Sequence, residues 1–501
     1  ADKLKMPEIE KRRGYDLGFI THYIIEKNLN PLRWYEIDGE ILNNSPEFGG
    51  IDSNLDVDLC IKVNSISEIK KEDFTPKVLA FDIEADEFKI GEGEILMISL
   101  VSGNFKKVIT WKKHKNIPYV EYVKDEAELL ERFVSIVKEI SPDFITGYFS
   151  DGFDLPYLKA RAEKNRVKLS LGLDKSQPKF SRGRMITAKI NGVVHIDLLR
   201  FIQTAYSQYM KSETLSLNEV SNEFLGESKK EFEFKHSSKI NGDKWEEYFE
   251  YNLHDSVLTY NLFKKFWPDL LEFTRVIKEP VFDVSRNGMS ANVEDYILHH
   301  LNKFNEIPEK RPTYDEIGER KKREKYEGAF VLQPTPGLYE NICIFDFTSM
   351  HASIIVSYNL SKVTLLEKKT KDCIESPEFE FNGKKTKFYF SKEKGFLPAL
   401  LEEIVKLRKK YKKEFKEKPD AIKKARSNAF KLLANAYYGY MGFSGARYYS
   451  VESAATTLAF VRYFNKWTIE KVKKEYDVIF GDTDSVGFCL GTKTKEECKK
   501  F

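Results

Sequence analysis

Two pairs of carboxylates stand out by their spacing. Asp482 and Asp484 are two residues apart in Tyr476-Asp-Val-Ile-Phe-Gly-Asp-Thr-Asp-Ser-Val-Gly-Phe488. Val478 to Phe480 reads as a short buried strand and Val486 to Leu490 as a second. Between them stand the turn formers Gly481-Asp482-Thr483-Asp484-Ser485. The expected element is a β-hairpin with two carboxylates at its tip. Asp82 and Glu84 are also two apart, at the end of the apolar run Lys77-Val-Leu-Ala-Phe-Asp-Ile-Glu-Ala-Asp86. A strand would put both on one face. Like charges this close repel, and a divalent cation is the usual neutraliser. An Asp-x-Asp on its own fits an ordinary acidic turn as well as a cation site.

Positioning such groups takes large cores, and the chain has room for them. It has 501 residues, 41% of them hydrophobic, enough for several domains of ~100–200 residues. No run of about 18 apolar residues occurs, so no membrane span is expected. The five cysteines are scattered and form no Cys-x-x-Cys, which points to neither a zinc site nor a disulfide framework. A reducing, cytoplasmic setting fits that usage. Net charge is only +3, so the total does not announce a nucleic-acid partner. The distribution is more telling. Lys406 to Arg426 is densely basic, opposed only by Glu414, Glu417 and Asp420. By itself that run is either a solvated helix face or an anion-binding surface.

From about residue 76 to 265, strand patterns alternate with helical ones, which argues for an α/β layer domain. Gly93 to Val101 supplies a second strand, Asp125 to Ile140 a helix, and Phe144 to Tyr148 a strand end. Residues 1–75 are mixed. Pro31-Leu-Arg-Trp-Tyr and Asn43-Asn-Ser-Pro-Glu-Phe-Gly-Gly suggest short strands and turns, with no legible chemistry. Two more acids join the first pair in this region. Asp154 follows Phe153 at a strand-to-helix turn. Asp255 lies one helical turn after Tyr251, so those two face the same way. Any one of these acids alone reads as surface charge.

Taken together, these contexts resemble known motifs. Asp82-x-Glu84, Phe153-Asp154 and Tyr251-x-x-x-Asp255 resemble the three exonuclease motifs of the proofreading domain of family B DNA polymerases. The hairpin resembles that family's Tyr-Gly-Asp-Thr-Asp-Ser motif, with Phe480 in place of tyrosine as a packing ring. In the exonuclease, the resemblance implies that Asp82, Glu84, Asp154 and Asp255 hold two divalent ions ~3.5–4 Å apart, with Tyr251 orienting the attacking water. One departure is visible. Family members carry asparagine four residues before the second-motif acid, where this chain has Ser150, a shorter donor toward the DNA strand.

The C-terminal half extends the resemblance. Val284-Ser-Arg-Asn-Gly and Asn305-Glu-Ile-Pro resemble the linker into the polymerase half. Tyr326-Glu-Gly-Ala resembles the family's template-contacting loop, in which Tyr326 and Gly328 would meet DNA. Asp346-Phe-Thr-Ser-Met-His-Ala-Ser-Ile-Ile355 ends an apolar strand and resembles the first palm motif. Asp346 would then be a metal ligand with Asp482 and Asp484, and the Phe347 carbonyl would complete the shell. His351 stands where the family has the tyrosine under the incoming sugar, and Ala352 where it has proline. The expectation is that the imidazole fills the same space.

Leu400 to Lys416 and Ala421 to Tyr438 read as two helices broken at Pro419-Asp420. Arg408 and Lys412 share a face, as do Lys431, Asn435 and Tyr438. Lys431-Leu-Leu-Ala-Asn-Ala-Tyr-Tyr-Gly439 resembles the nucleotide-binding helix of the fingers. Arg408, Lys412, Lys431 and Asn435 would hold the triphosphate. Tyr438 and Gly439 would lie against the nascent base pair.

The expected architecture is multidomain, α/β and α+β: an RNase H-like exonuclease plus a right-hand palm and helical fingers, with the thumb absent. The expected divisions are an N-terminal domain, whole or partial, at 1–75, the exonuclease at 76–265, the first part of the palm at 266–394, fingers at 395–439, and the incomplete second part of the palm at 440–501. The resemblance implies template-directed DNA synthesis with 3′–5′ proofreading. Expected cofactors are two Mg2+ per site, with Mn2+ an alternative. Expected partners are primer–template DNA and dNTPs, and a sliding clamp. The intervals between motifs leave little room for the insertions of protein-primed relatives, so a nucleic-acid primer is expected. Only Gly491 to Phe501 follow the hairpin, whereas the family continues with more palm and a thumb. This raises the expectation of a small partner subunit that supplies them, docking at the open palm edge beside the hairpin. Two alternatives stay open: a nuclease with an inert polymerase half, and a non-catalytic scaffold.

Overall fold

The structure is a computed structural model. It describes all residues except 1–12, 43–56, 58, 72–74, 184, 230–235, 241, 323–325, 335 and 501. The Asn43-Asn-Ser-Pro-Glu-Phe-Gly-Gly stretch lies outside the described residues. The chain divides into two compact units, Leu29–Arg275 with Glu279–Asn287, and Ala1–Asn28 with Val276–Lys278 and Gly288–Phe501. Among the described residues no helix is long and apolar enough to cross a membrane.

The first unit is built on a six-stranded mixed sheet. Its strands run in the order Val194–Asp197, Phe144–Gly147, Val78–Ala85, Ile95–Ser102, Phe105–Thr110, Val120–Tyr122. The strand of Asp82 is central. It pairs antiparallel with Ile95–Ser102, Asp82 opposite Ser99, and parallel with Phe144–Gly147. Alternation decides what each face holds. Leu79, Phe81 and Ile83 point into a core with Leu129, Leu130, Phe133, Leu155 and Leu158, from the helices Glu126–Ile140 and Asp154–Asn165. Asp82 and Glu84 therefore point to the opposite face. There the long helix Lys244–Ile277 packs, with Tyr248 and Phe249 buried against Leu96, Met97 and Val108. The helix Glu126–Ile140 starts where the sequence signals it: Asp125 accepts a hydrogen bond from the Glu128 N–H at 3.0 Å.

The second unit contains a four-stranded antiparallel sheet in the order Val331–Leu332, Asp477–Asp482, Ser485–Cys489, Ile342–Asp346. The hairpin strands are longer than the sequence implies. They run through Asp482 and resume at Ser485, leaving Thr483 and Asp484 as the tip, with Thr483 at φ +50°. The Phe480 ring covers Gly487. A side chain there would meet that ring at 2.1 Å, so only glycine fits. Phe480 packs, as expected from the sequence. The helix Val451–Val472 backs the hairpin, burying Ile469 against Val486, Phe488 and Leu490.

The basic run forms two helices, Phe396–Glu417 and Ala421–Met441. Both extend beyond the sequence reading. Pro398 sits in the first turn, where no intrahelical N–H is required of it, so the helix starts before Leu400. Asp420 caps the second helix, accepting from the N–H groups of Ile422 and Lys423. The helices run antiparallel: Tyr411 stacks on Phe430 at 5.6 Å, and the Tyr437 hydroxyl donates to the Leu397 carbonyl at 3.0 Å.

Candidate active sites on the two units

In the first unit, carboxylate oxygens of Asp82, Glu84 and Asp255 lie within 4.8 Å of one another. Asp154, at the first turn of its helix, is close enough to raise the proton affinity of Asp82 and Glu84. Asp154 and Asp255 are buried, at 4% and 2% exposure. Burial drives all four carboxyls upward in pKa, and repulsion from neighbouring carboxylates adds to it for Asp82, Glu84 and Asp154. Glu84 is pushed up to about 8 and Asp154 to about 7, with Asp82 well above the usual range and Asp255 also raised. Asp255 Oδ1 is buried without a hydrogen-bond partner. This concentration of carboxylate oxygens, opposed by the single ammonium of Lys229, fits divalent cations.

Tyr251 and Asp255 do face the site together, and Tyr251 lowers the proton affinity of Asp255. The same helical stripe brings two residues that the sequence reading missed. The Tyr248 hydroxyl donates to Glu84 at 2.9 Å, and the Asn252 amide donates to Asp82 at 2.8 Å. Their helical spacing from Asp255 was the available signal. Lys229 was missed without such a signal. Its ammonium lies 2.5 Å from Asp255 and 4.9 Å from the Tyr251 ring centroid, reaching in from a segment far from either in sequence.

The expectation for Ser150 needs correction. Its side chain does not face a DNA strand: it is fully buried, with its hydroxyl 2.8 Å from His195 Nε2. The exposed member of this loop is Phe149, at 46% exposure and φ +64°. Asp197, bonded to the N–H groups of Phe149 and Asp151, turns the loop this way.

The raised carboxyls make a stability prediction. The folded chain holds their protons to higher pH than an unfolded chain does, where carboxyls titrate near about 4. The contribution of these carboxyls to the stability of metal-free protein is therefore fully present at low pH, and is lost as pH rises through about 7 and about 8. In chelator, the thermal midpoint should fall by ~4 °C or more between about pH 6 and about pH 9. Added divalent metal should restore it at the higher pH. A midpoint that rises with pH in chelator would contradict this assignment.

In the second unit, Asp346 ends its strand opposite Ser485, and Asp482 pairs with the same Ser485. Both strands thus deliver their acids to one end of the sheet, with Asp484 at the tip between them. Burial, then the charges of Asp346 and Asp482, raises the Asp484 pKa. Asp346 and Asp482 are exposed, whereas Asp154 and Asp255 of the first unit are buried and Asp82 and Glu84 half-buried. The tip is fixed from outside. Asn465 donates to the Thr483 carbonyl at 2.9 Å, Thr483 N–H to the Phe330 carbonyl, and Phe347 N–H to the Asp484 carbonyl. Three carboxylates thus stand at one sheet end, a ligand type that suits divalent cations, although they are not gathered as closely as Asp82, Glu84 and Asp255.

Arg408 donates to the Ser349 hydroxyl at 2.6 Å, three residues after Asp346. The Tyr411–Phe430 stack puts the turn of Arg408 and Lys412 beside the turn of Lys431. Lys412, Asn435 and Gly439 are exposed, and Arg408 and Lys431 are half-buried. The His351 ring lies 4.8 Å from the Tyr438 ring. Burial, and then the neighbouring Tyr326, raises the Tyr438 pKa. Arg462, missed in the sequence, donates to the carbonyls of Glu327 and Gly328 and holds that loop.

The chain is similar to known DNA polymerases. The model of DNA polymerase family B matches residues 280–501, and that of its exonuclease domain matches residues 10–220. A DNA polymerase of Pyrococcus glycovorans is 36% identical across 97% of this chain and 58% of the relative. One from Thermococcus gorgonarius is 32% identical across 100% of this chain and 60% of the relative. The structure of the family B DNA polymerase from Pyrobaculum calidifontis aligns with TM-score 0.74 and 26% identity, covering 97% of this chain and 62% of that one. The chain belongs to the family B DNA polymerases, and carries both the exonuclease and the polymerase domain of that family. It spans about three fifths of the length of the curated relatives it matches.

Proposed function

We propose that this chain extends a DNA primer along a template and removes mispaired 3′ ends by hydrolysis. The carrying observation is that two separate carboxylate constellations occur in one chain, each on its own unit. Asp346, Asp482 and Asp484 with the Phe347 carbonyl would hold Mg2+ in one, and Asp82, Glu84, Asp154 and Asp255 in the other. In such sites the bound metal lowers the pKa of the attacking oxygen and stabilises the leaving one.

The protein's own groups do the rest. Arg408, Lys412, Lys431 and Asn435 neutralise and orient the triphosphate of the incoming dNTP. Tyr438 and Gly439 lie against the new base pair, and Tyr326 and Gly328 against the template. Selectivity comes from base-pair geometry, while the protein grips the backbone. Tyr251 orients the hydrolytic water. The assignments of 76–265 to excision, 266–394 and 440–501 to the palm, and 395–439 to the fingers are part of this proposal, as is a cytoplasmic location on the nucleoid. The proposal also includes a sliding clamp as partner, and exposed Ile342 and Ile344 on the outer strand of the palm sheet offer a surface for a partner protein.

A labelled primer–template with Mg2+, with and without dNTPs, tests the activities. Extension with dNTPs and shortening without them is expected. Shortening alone would leave a nuclease, and neither would leave a scaffold. A narrower prediction concerns the sugar. His351 is a smaller ring than tyrosine, so His351→Tyr should tighten discrimination against ribonucleotides about tenfold, roughly 1.4 kcal/mol. The ratio of kcat/KM for dNTP and rNTP measures it. An unchanged ratio would assign His351 to packing alone.

A further inference from the structure

Arg286 is a buried cation that the chemistry above does not use. It lies in Glu279–Asn287, where the chain returns to the first unit after Val276–Lys278. Its side chain is 9% exposed and stacks on the Phe282 ring at 4.1 Å. The guanidinium makes three polar contacts across the sheet end. Nε donates to Asp151 Oδ2 at 2.8 Å, Nη1 donates to the His195 carbonyl at 2.9 Å, and Nη2 lies 3.0 Å from His195 Nδ1. His195 Nδ1 also lies 3.1 Å from the Ala188 carbonyl, and its Nε2 lies 2.8 Å from the Ser150 hydroxyl.

Each of these partners bears on the loop ahead of Asp154. Asp151 is fully buried, and its other oxygen accepts the Ala188 N–H at 2.8 Å. The Asp151 N–H goes to Asp197, as does the N–H of Phe149. Ser150 is held by His195. Three consecutive residues are thus pinned from below. Gly152 and Phe153 then bond back to the Phe149 carbonyl, and Leu155 N–H to the Ser150 carbonyl, which closes the turn onto the Asp154 helix. The left-handed conformation of Phe149 is one that an aromatic residue avoids unless the surroundings impose it.

We propose that Arg286 is a positioning residue for excision: paired with Asp151, it fixes the loop Phe149–Asp154 and with it the carboxylate of Asp154. Removing the guanidinium strands a buried carboxylate, which must then reach water or take up a proton. Either response shifts the loop, and Asp154 moves out of register with Asp82 and Glu84. The effect belongs to the metal-binding geometry of one unit, and extension by the other is unaffected. This rests on the proofreading reading above.

The test uses the full chain with Arg286→Met, Arg286→Lys, Asp151→Asn and the double variant Arg286→Met/Asp151→Asn. Excision of a mismatched primer end is followed against Mg2+ concentration, extension of a matched primer is measured in parallel, and thermal midpoints report folding. Arg286→Met should raise the Mg2+ concentration for half-maximal excision about tenfold, a shift of roughly 1.4 kcal/mol. Arg286→Lys should recover part of the loss. The double variant should be no worse than Arg286→Met, since no stranded charge remains. Should Arg286→Met fail to fold, the milder Arg286→Lys still has to show a shifted Mg2+ response. An unchanged Mg2+ response in folded variants, or losses that add in the double variant, would overturn the proposal. Absence of excision by the unmodified chain would instead overturn the proofreading reading. Mn2+ binding, followed by electron paramagnetic resonance in the unmodified chain and Arg286→Met, then still decides the role of Arg286.

Discussion

Replacing Asp82 and Glu84 together by alanine is expected to lower excision by ~10³-fold or more, about 4 kcal/mol of barrier, and to leave extension within about twofold. The reason lies in the sheet. Both side chains leave the same face of one strand, toward Tyr248, Asn252 and Asp255, and the polymerase carboxylates lie on the other unit. The pair is also a source of instability in metal-free protein, because it places repelling carboxyls beside Asp154 and Asp255. The double variant should therefore melt higher than the parent in chelator at alkaline pH. Loss of extension in a folded double variant would show that the two sites are not independent.

The mirror experiment carries an effect of similar size. Asp484→Asn keeps the shape of the hairpin tip and removes one charge where Asp346 and Asp482 converge. Extension should fall by ~10³-fold or more, with excision retained. The hairpin itself should survive. Asn465 and the carbonyl of Phe330 hold Thr483 through main-chain bonds, and the Asp484 carbonyl still accepts from Phe347. An extension rate within tenfold of the parent would remove Asp484 from the reacting centre.

Much of both sites was legible because their acids sit on regular elements. Period two alone puts Asp82 and Glu84 on one face, and period 3.6 puts Tyr251 and Asp255 on another. The hairpin tip was legible for the same reason, although its strands reach further than the turn-forming residues imply. Gly481 and Asp482 pair in register with Val486 and Ser485, so only Thr483 and Asp484 turn the chain. What escaped reading depends on contacts distant in sequence. Lys229 reaches Asp255 from an irregular segment, and nothing in its neighbours announces that approach. Ser150 looked like a donor to DNA because sequence shows order and not direction. Its hydroxyl turns inward to His195, a strand away, and Phe149 is left outside. Arg286 was read as part of a linker, yet it anchors the loop of Asp154 through Asp151.

The central claim is that one chain both removes and adds nucleotides at a primer end, through separate sites. A primer with a mispaired, end-labelled 3′ nucleotide, given Mg2+ and all dNTPs, addresses it in one reaction. The account predicts release of the labelled nucleotide, followed by extended products that carry the corrected base. With Asp82 and Glu84 replaced, the label should stay on the primer. Extended products that keep the mismatch in the unmodified chain, or no change in the primer at all, would contradict it.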